Sequence, residues 1–239
     1  EISGAFKTFD VALKKLTAWI PVSNDMLDLG ASWLDRYVRE ILAEALWVGM
    51  ETGVVSGDGL NCPIGMCKDV SSSASVVGGK YPDQKTVALN ELSPEAIGAI
   101  AAQLTKTEAG NNRPLDNLIF VVNPKTYLTK VMPATTNFVQ GKWVNDVMPI
   151  PCTIIQSCAV PDDRAIFGLG KRYFMGLGMA KGGKLEFDDS FKFLDDARTY
   201  KIKTYGNGKP LDSNAFRYLD ISKLKRFIPT VYTVTPSET

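Results

Sequence analysis

The sequence feature that most constrains the fold is a long amphipathic stretch from Ser32 to Val55. Its apolar residues recur every three or four positions, as they do on one face of an α-helix. They are Leu34, Tyr37, Val38, Ile41, Leu42, Ala45, Leu46 and Trp47. A helix of this length would span about 36 Å, roughly twice the length of an average globular helix. The stretch therefore predicts one long helix that acts as a strut for the rest of the chain.

Polar residues and glycines mark the expected ends of this helix. Ser32 is a good N-cap, and Asp35 three residues later gives an acidic variant of the capping box. Gly57 and Gly59 offer left-handed backbone positions just beyond the last turn. The sequence thus predicts a helix over residues 32–55.

A glycine-rich segment follows the long helix and contains Gly57, Asp58, Gly59, Pro63 and Gly65. It lacks the alternating acidic ligands of an EF-hand and the Gly-Lys-Ser/Thr of a phosphate-binding loop. Glycine, aspartate and proline in this order are typical of a tight turn. We therefore interpret these five residues as a structural turn that redirects the chain.

The remainder of the chain alternates short β-like segments with two shorter helices. A helix is predicted from Ser93 to Thr107, with a Ser cap before Pro, and another after Asn123-Pro124. Turns are predicted at Asp188-Asp189 and at Gly206-Asn207-Gly208. Residues 69–91 are predicted to form a surface loop or a weak hairpin, and residues 135–145 a mobile loop. Strands are predicted at 6–22, 118–122, 150–156, 165–169, 173–177, 184–188, 197–205 and 215–221. This order predicts an α+β fold with a second module in the middle of the chain.

Composition narrows the possible functions. The net charge of +1 gives no reason to expect nucleic-acid or membrane binding, and the basic run at 223–226 is interpreted as solvated surface. No apolar run reaches the roughly 18 residues that span a bilayer. The chain has no histidine, which removes the commonest general base and metal ligand. We expect no cofactor, no bound metal, no membrane association and no sequence-specific nucleic-acid binding.

The four cysteines leave alternatives open. Cys62, Cys67, Cys152 and Cys158 are spaced C-x4-C and C-x5-C, which matches no usual zinc motif. They are interpreted as reduced, mostly buried thiols, the alternatives being a metal site or two disulfides. A thiol enzyme with Cys62 as nucleophile would need a nearby cation or helix N-terminus. Because Cys62 follows the C-terminal end of the long helix, we expect no catalytic residues.

Several segments in a fixed order resemble the major capsid proteins of tailed phages, those with the Hong Kong 97-type fold. The resemblance covers roughly residues 5–221. In the N-terminal half it rests on a strand with Pro21, the long helix and the turn at Gly57-Asp58-Gly59. In the C-terminal half it rests on 165–168, Tyr173, the acidic-aromatic run 188–196 and 215–219.

The resemblance implies a structural protein that assembles into hexamers and pentamers of an icosahedral shell enclosing DNA. Its place would be the virion, and the bacterial host cytoplasm before assembly. Its partners would be other copies of itself, with a scaffold segment, a maturation protease and a portal as further partners. The alternative within the same fold is an encapsulin-like shell protein of a bacterial nanocompartment.

The resemblance also implies a domain arrangement. The chain begins at Glu1 without a methionine, so we expect a processed or truncated form that starts inside the second leg of an extended loop. The expected units are the partial loop at 1–16, a peripheral domain at 17–60 and 178–205 with the spine helix at 32–55, an axial domain at 61–177 and 206–227, and a C-terminal tail at 228–239.

Two further expectations concern contacts between subunits. The lysine of the Lys–Asn crosslink found in the type member falls at Thr8, beside Lys7. The asparagine region falls at 194–196, which contains no asparagine, so crosslinking is not expected. Candidate interface residues are Phe6, Lys7, Phe9, Trp143 and Tyr232, the alternative being partial burial of these side chains within one subunit.

Overall fold

The computed structural model describes residues 13–28, 30–178 and 184–228. The strands are β1 Lys14–Ser23, β2 Val87–Ala88, β3 Leu118–Val122, β4 Asn137–Val139, β5 Lys142–Val144, β6 Thr153–Gln156, β7 Arg164–Leu169, β8 Tyr173–Leu177, β9 Lys184–Lys192, β10 Ala197–Pro210 and β11 Phe216–Asp220. The helices are α1 Asn24–Asp28, α2 Ala31–Ser56, α3 Pro94–Leu104, α4 Pro124–Thr126, a π-helix Tyr127–Val131 and α5 Met132–Thr135, with 3-10 turns at Gly170–Arg172 and Phe193–Asp195.

The first sheet is organised around β10, the longest strand among the described residues. β1 pairs antiparallel with one edge of β10, while β9 and β8 pair with its other edge. The helix α2 packs on one face of this sheet. Four of its buried side chains are spaced four residues apart and pack with Val22, Tyr200 and Ile202. They are Leu34, Val38, Leu42 and Leu46. The long helix therefore packs on β1 and on β10, a strand of the C-terminal half.

The ends of α2 differ from the prediction. The helix begins at Ala31, and Gly30 occupies the N-cap without any side-chain hydrogen bond to the helix. The prediction of Ser32 as N-cap is wrong, because the helix starts one residue earlier and Ser32 falls inside its first turn. At the other end Gly57 has φ −56°, so it is not left-handed, whereas Gly59 has φ +87°.

The second sheet has the order β2-β11-β7-β3-β6 and holds the larger part of the core. All five residues of β3 are buried, so the predicted strand at 118–122 is present and is covered on both faces. Before α3, the side chain of Ser93 accepts a hydrogen bond from the backbone N–H of Ala96 at 3.2 Å, as the sequence predicts. The buried guanidinium of Arg113 lies 2.5 Å from the carboxylate of Asp212 and ties the end of α3 to the segment before β11.

The predicted hairpin turn at Gly206-Asn207-Gly208 is wrong. β10 continues through these residues to Pro210, and β8 pairs with them. A Cβ at Gly208 would lie 2.7 Å from the carbonyl oxygen of Phe174 and 2.8 Å from the ring of Tyr173. Because Gly208 has no side chain, β8 can approach this strand closely. The glycine does not form a reversal of the chain.

The predicted turn at Asp188-Asp189 is also wrong, because β9 continues to Lys192 and the chain reverses at the 3-10 turn Phe193–Asp195. The left-handed residue of this reversal is Asp196, with φ 47°. Segment 135–145, predicted as a mobile loop, instead forms the hairpin β4–β5. The hairpin turns at Gln140 and Gly141, both of which have positive φ.

Candidate subunit interface

The five residues predicted as a structural turn lie together at the C-terminal end of α2. The backbone N–H of Gly65 donates to the carbonyl oxygen of Gly57 at 2.8 Å. The next two N–H groups, of Met66 and Cys67, donate to the carbonyl oxygens of Val54 and Val55 at 2.9 and 3.2 Å. The turn folds back on the helix and supplies donors for carbonyl groups that a helix end leaves without partners.

The same turn connects α2 to the first sheet. The backbone N–H of Ile64 donates to the carbonyl oxygen of Gly208 in β10 at 2.8 Å. The hydroxyl of Tyr173 in β8 donates to the carbonyl oxygen of Ile64 at 3.0 Å. Asp58 closes the first bend, where its carboxylate accepts from the N–H of Leu60 at 3.1 Å. These contacts fix the end of the long helix relative to two strands.

The cysteines around this turn give no support to a thiol enzyme. All four thiols are free. The Sγ of Cys62 donates a hydrogen bond to the Asp58 carboxylate at 3.2 Å. Burial raises the pKa of the Cys67 thiol to about 12 and that of the Cys152 thiol to about 11. Only Cys67 is fully buried, so the prediction of mostly buried thiols holds for one of the four. In the described part of the chain no cluster of acidic and cysteine residues could hold a metal ion.

Exposed apolar side chains lie on the side of the long helix that faces away from the first sheet. Trp33, Tyr37, Trp47 and Val48 are each more than half exposed and face away from the first sheet. The rings of Trp33 and Tyr37 lie 6.2 Å apart, centroid to centroid. We call these four residues, together with Glu44 and Glu51 on the same side of the helix, the α2 outer face. The sequence pattern placed Tyr37 and Trp47 on the buried side of the helix, which is wrong, because both are on its exposed side.

A second exposed region lies on the face of the first sheet opposite α2. Trp19 and Phe191 meet edge to face, with ring centroids 6.4 Å apart, and line an open cavity of about 540 Å³. Trp19, Lys201 and Glu186 form one row across β1, β10 and β9. The Glu186 carboxylate lies 2.9 Å from the ammonium of Lys203 and 3.3 Å from that of Lys201. Hydrogen bonding to Lys203 and then to Lys201 lowers the pKa of Glu186 to about 2.

This lowered pKa predicts how stability depends on pH. The folded-state pKa of Glu186 lies below its unfolded value of about 4.3, so its ion pairs stabilise the fold above that value. The contribution is lost as the pH falls through about 2. Chemical denaturation of Glu186→Gln and the original chain should show a stability difference above about pH 5 that vanishes near pH 2.

The variant Glu44→Gln is the matched control for the Glu186 measurement. Glu44 is exposed, and among the described residues it has no ion pair. It should therefore give a smaller stability difference at neutral pH. A Glu186→Gln difference that stays constant down to pH 2 would contradict the assigned pairing.

A third exposed region is the hairpin β4–β5, which presents Phe138 and Trp143 with their ring centroids 4.9 Å apart. Trp143 is 70% exposed, and Val144 and Val147 beside it are also exposed. Of the five candidate interface residues, Trp143 alone lies in the described part of the chain. Phe6, Lys7, Phe9 and Tyr232 lie outside the described residues.

Sequence reasoning missed most of the exposed aromatic residues. Trp19 and Trp33 carry no local signal of exposure, because a tryptophan in a strand or helix is usually half-buried. Phe193 and Leu194 at the reversal after β9 are 78% and 96% exposed. The acidic residues around them were the available signal, since a run of aspartates places neighbouring apolar residues at the surface.

A long helix on a four-stranded sheet, beside a second five-stranded sheet, is the architecture of the Hong Kong 97-type capsid fold. The chain belongs to the phage capsid family, whose model matches residues 1–221. It is therefore a structural capsid protein of the virion. No helix in the described ranges combines the length and apolarity that a membrane span requires.

Solved structures share the fold at low sequence identity. The capsid of a native GTA particle matches with TM-score 0.57 and 18% identity, over 88% of this chain and 73% of that one. Gordonia phage Cozz matches with TM-score 0.55 and 19% identity, over 91% and 71%. The SrpI encapsulin from Synechococcus elongatus PCC 7942 matches with TM-score 0.56 and 13% identity, over 91% and 78%. No curated protein matches the sequence.

Proposed function

We propose that copies of this chain associate into hexamers and pentamers that form a closed icosahedral shell around DNA. The observation that carries this proposal is the exposed aromatic surface on three separate regions of one subunit. Exposed apolar patches of this kind mark surfaces that bind other proteins. A shell subunit needs several such regions, because it contacts several neighbours at once.

The division into two sheets supports two proposed domains, although β8 and residues 206–210 of β10 belong to the first sheet and fall within the axial ranges. We assign 17–60 and 178–205 to a peripheral domain around α2, and 61–177 and 206–227 to an axial domain around the second sheet. Residues 1–16 would be the second leg of an extended loop that lies on a neighbouring subunit, and 228–239 a tail. The turn at Gly57 to Gly65 lies at the boundary and would hold the long helix at a fixed angle to the axial domain.

Candidate contacts and partners follow from this assignment. Trp143 would contact a neighbouring subunit from the hairpin β4–β5, while Phe6, Lys7, Phe9 and Tyr232 would contribute from the two ends of the chain. A scaffold segment, a maturation protease and a portal are proposed partners in the bacterial host cytoplasm before assembly. The proposed role is structural, without an enzymatic activity.

Electron microscopy of the full-length gene product expressed alone tests the proposal. Closed shells or rings of five and six subunits are expected in at least one salt condition. A product that stays monomeric across a wide range of salt would overturn the proposal. The gene upstream of Glu1 separates the two shell classes, since a long polar helical segment favours a phage and a short amphipathic helix favours a nanocompartment.

Trp143→Ser is expected to separate assembly from folding. Because Trp143 is 70% exposed in the single chain, its loss should change the free energy of unfolding by no more than about 0.5 kcal/mol. A buried interface tryptophan contributes about 2 kcal/mol, so association should weaken roughly thirtyfold. Thermal denaturation and sedimentation velocity measure the two effects.

The matched control for Trp143→Ser is Val77→Ser. Val77 is 74% exposed and lies in the loop before β2, outside the three aromatic regions. It should leave both folding and association unchanged. Normal assembly of Trp143→Ser would remove this tryptophan from the proposed interface.

A further inference from the structure

We propose that the α2 outer face binds the basic segment 222–228 of a second copy of the chain. This inference rests on the proposed self-association and names two surfaces that take part in it. One surface is acidic and aromatic and belongs to the helix on the first sheet. The other is basic and apolar and follows the last strand of the second sheet.

The α2 outer face carries an uncompensated negative charge at its C-terminal half. Near the N-terminus of the helix, Arg36 pairs with Glu40 at 3.0 Å and Arg39 with Asp35 at 2.9 Å, so these charges balance. Two glutamates remain further along the helix. They are Glu44 and Glu51, and within the described residues neither has an ion pair.

The two glutamates bracket the exposed apolar side chains Trp47 and Val48. They are separated by two helical turns, which is about 10 Å along the axis. A partner suited to this surface has two cations about 10 Å apart with apolar side chains beside them. The aromatic ring of Trp47 also favours an arginine over other cations.

The same chain displays a segment with this chemistry. Lys223, Lys225 and Arg226 are exposed, followed by Phe227 and by Ile228, which is 77% exposed. Lys223 lies in a turn closed by the hydrogen bond from the N–H of Leu224 to the carbonyl oxygen of Ile221 at 3.1 Å, and Arg226 follows three residues later. The signs of the charges on the two surfaces are therefore complementary.

The fold anchors the backbone of segment 222–228 and leaves its basic side chains exposed. Leu224 is buried in the core of the second sheet, and the backbone N–H of Lys225 donates to the carbonyl oxygen of Asn90 at 2.8 Å. The guanidinium of Arg226 donates a hydrogen bond to the side-chain oxygen of Asn137 at 3.0 Å. With its backbone anchored, the segment loses little conformational freedom on binding.

The arrangement of the two surfaces suits a ring. They are different from each other and belong to different sheets, so a contact between them is heterologous, joining the helix of one copy to the segment of the next. Heterologous contacts generate closed rings when the rotation between copies closes. Five- and sixfold capsomers need a contact of this kind at each junction.

Charge reversal on each side tests the inference. The variants are Glu44→Lys with Glu51→Lys, then Lys223→Glu with Arg226→Glu, and finally all four together. Each pair alone should raise the Kd for association about tenfold or more, because attraction becomes repulsion. The fourfold variant, with both signs exchanged, should recover most of the affinity. Sedimentation velocity at two salt concentrations measures the Kd, and higher salt should weaken association of the original chain and of the fourfold variant, whereas it should relieve the repulsion in each pair alone.

Two double variants serve as controls. Glu95→Lys with Lys85→Glu changes exposed charges elsewhere and should leave the Kd unchanged, while the neutral pair Glu44→Gln with Glu51→Gln should give an intermediate Kd. Circular dichroism checks that each variant folds. If the original chain associates and the reversed variants associate equally well, or if the fourfold variant is no better than either pair, this inference is wrong and the proposed function stands. An original chain that never associates overturns both.

Discussion

Replacing Gly57 by alanine is expected to destabilise the fold by about 3 kcal/mol, the upper end of the usual range for overpacking. A Cβ at this position would collide with the carbonyl oxygen of Pro63 and would lie 2.5 Å from that of Gly53. Both are backbone atoms, one in the turn and one in α2, so neither can rotate away. The clash must separate the turn from the helix. Chemical denaturation of purified protein measures the loss.

Gly98→Ala is the control for this prediction. Gly98 lies inside α3, and a Cβ there would meet nothing within 4 Å. Alanine should stabilise the helix by about 0.5–1 kcal/mol, because glycine loses more backbone entropy on folding. Opposite signs for the two substitutions are therefore expected. A Gly57→Ala chain as stable as the original would show that the turn does not pack against the helix as described.

Removing the guanidinium of Arg113 is expected to cost about 3–5 kcal/mol, the range for breaking a buried ion pair. This group donates to the carbonyl oxygen of Leu104 at 2.6 Å and to that of Asn214 at 2.7 Å, beside its pair with Asp212. Arg113→Ala leaves the Asp212 carboxylate without its partner and two carbonyl groups without these donors. The transition midpoint in urea should fall accordingly, and α3 should detach from the segment before β11.

Two further variants separate charge from geometry at this site. Arg113→Lys retains the positive charge but cannot reach all three acceptors. Its free energy of unfolding should therefore lie between those of the original chain and Arg113→Ala. Arg39→Ala removes an exposed pair on α2 and should cost no more than about 0.5 kcal/mol. Equal losses at Arg39 and Arg113 would contradict a buried network.

The fold was predictable wherever a local pattern determines the structure. The four-residue spacing of Leu34, Val38 and Leu42 gives the long helix, and Ser93-Pro94 gives the start of α3. The conformation of Gly206-Asn207-Gly208 was not predictable, because the same residues suit either a tight turn or a strand against which another backbone packs closely. Only the position of β8, far from any local signal, decides between the two.

The candidate interface was less predictable than the fold. Periodicity identifies an apolar helix face, but the width of the buried stripe depends on what covers it. Leu46 is 3% exposed while its neighbour Trp47 is 56% exposed, although both fit the predicted apolar face. A sequence does not distinguish an aromatic residue that contacts a neighbouring subunit from one that packs in the core. The family resemblance suggested Trp143, whereas Trp33 and Trp47 emerged from the structure.

The uninterrupted course of β10 has a mechanical consequence. Its 14 residues extend over about 46 Å, and ten consecutive residues of it pair with β1. Tension applied along the strand would strain these hydrogen bonds together in shear, instead of peeling them apart one at a time. A reversal at Gly206 would have interrupted this path. The strand can therefore transmit force across the subunit in the plane of a wall.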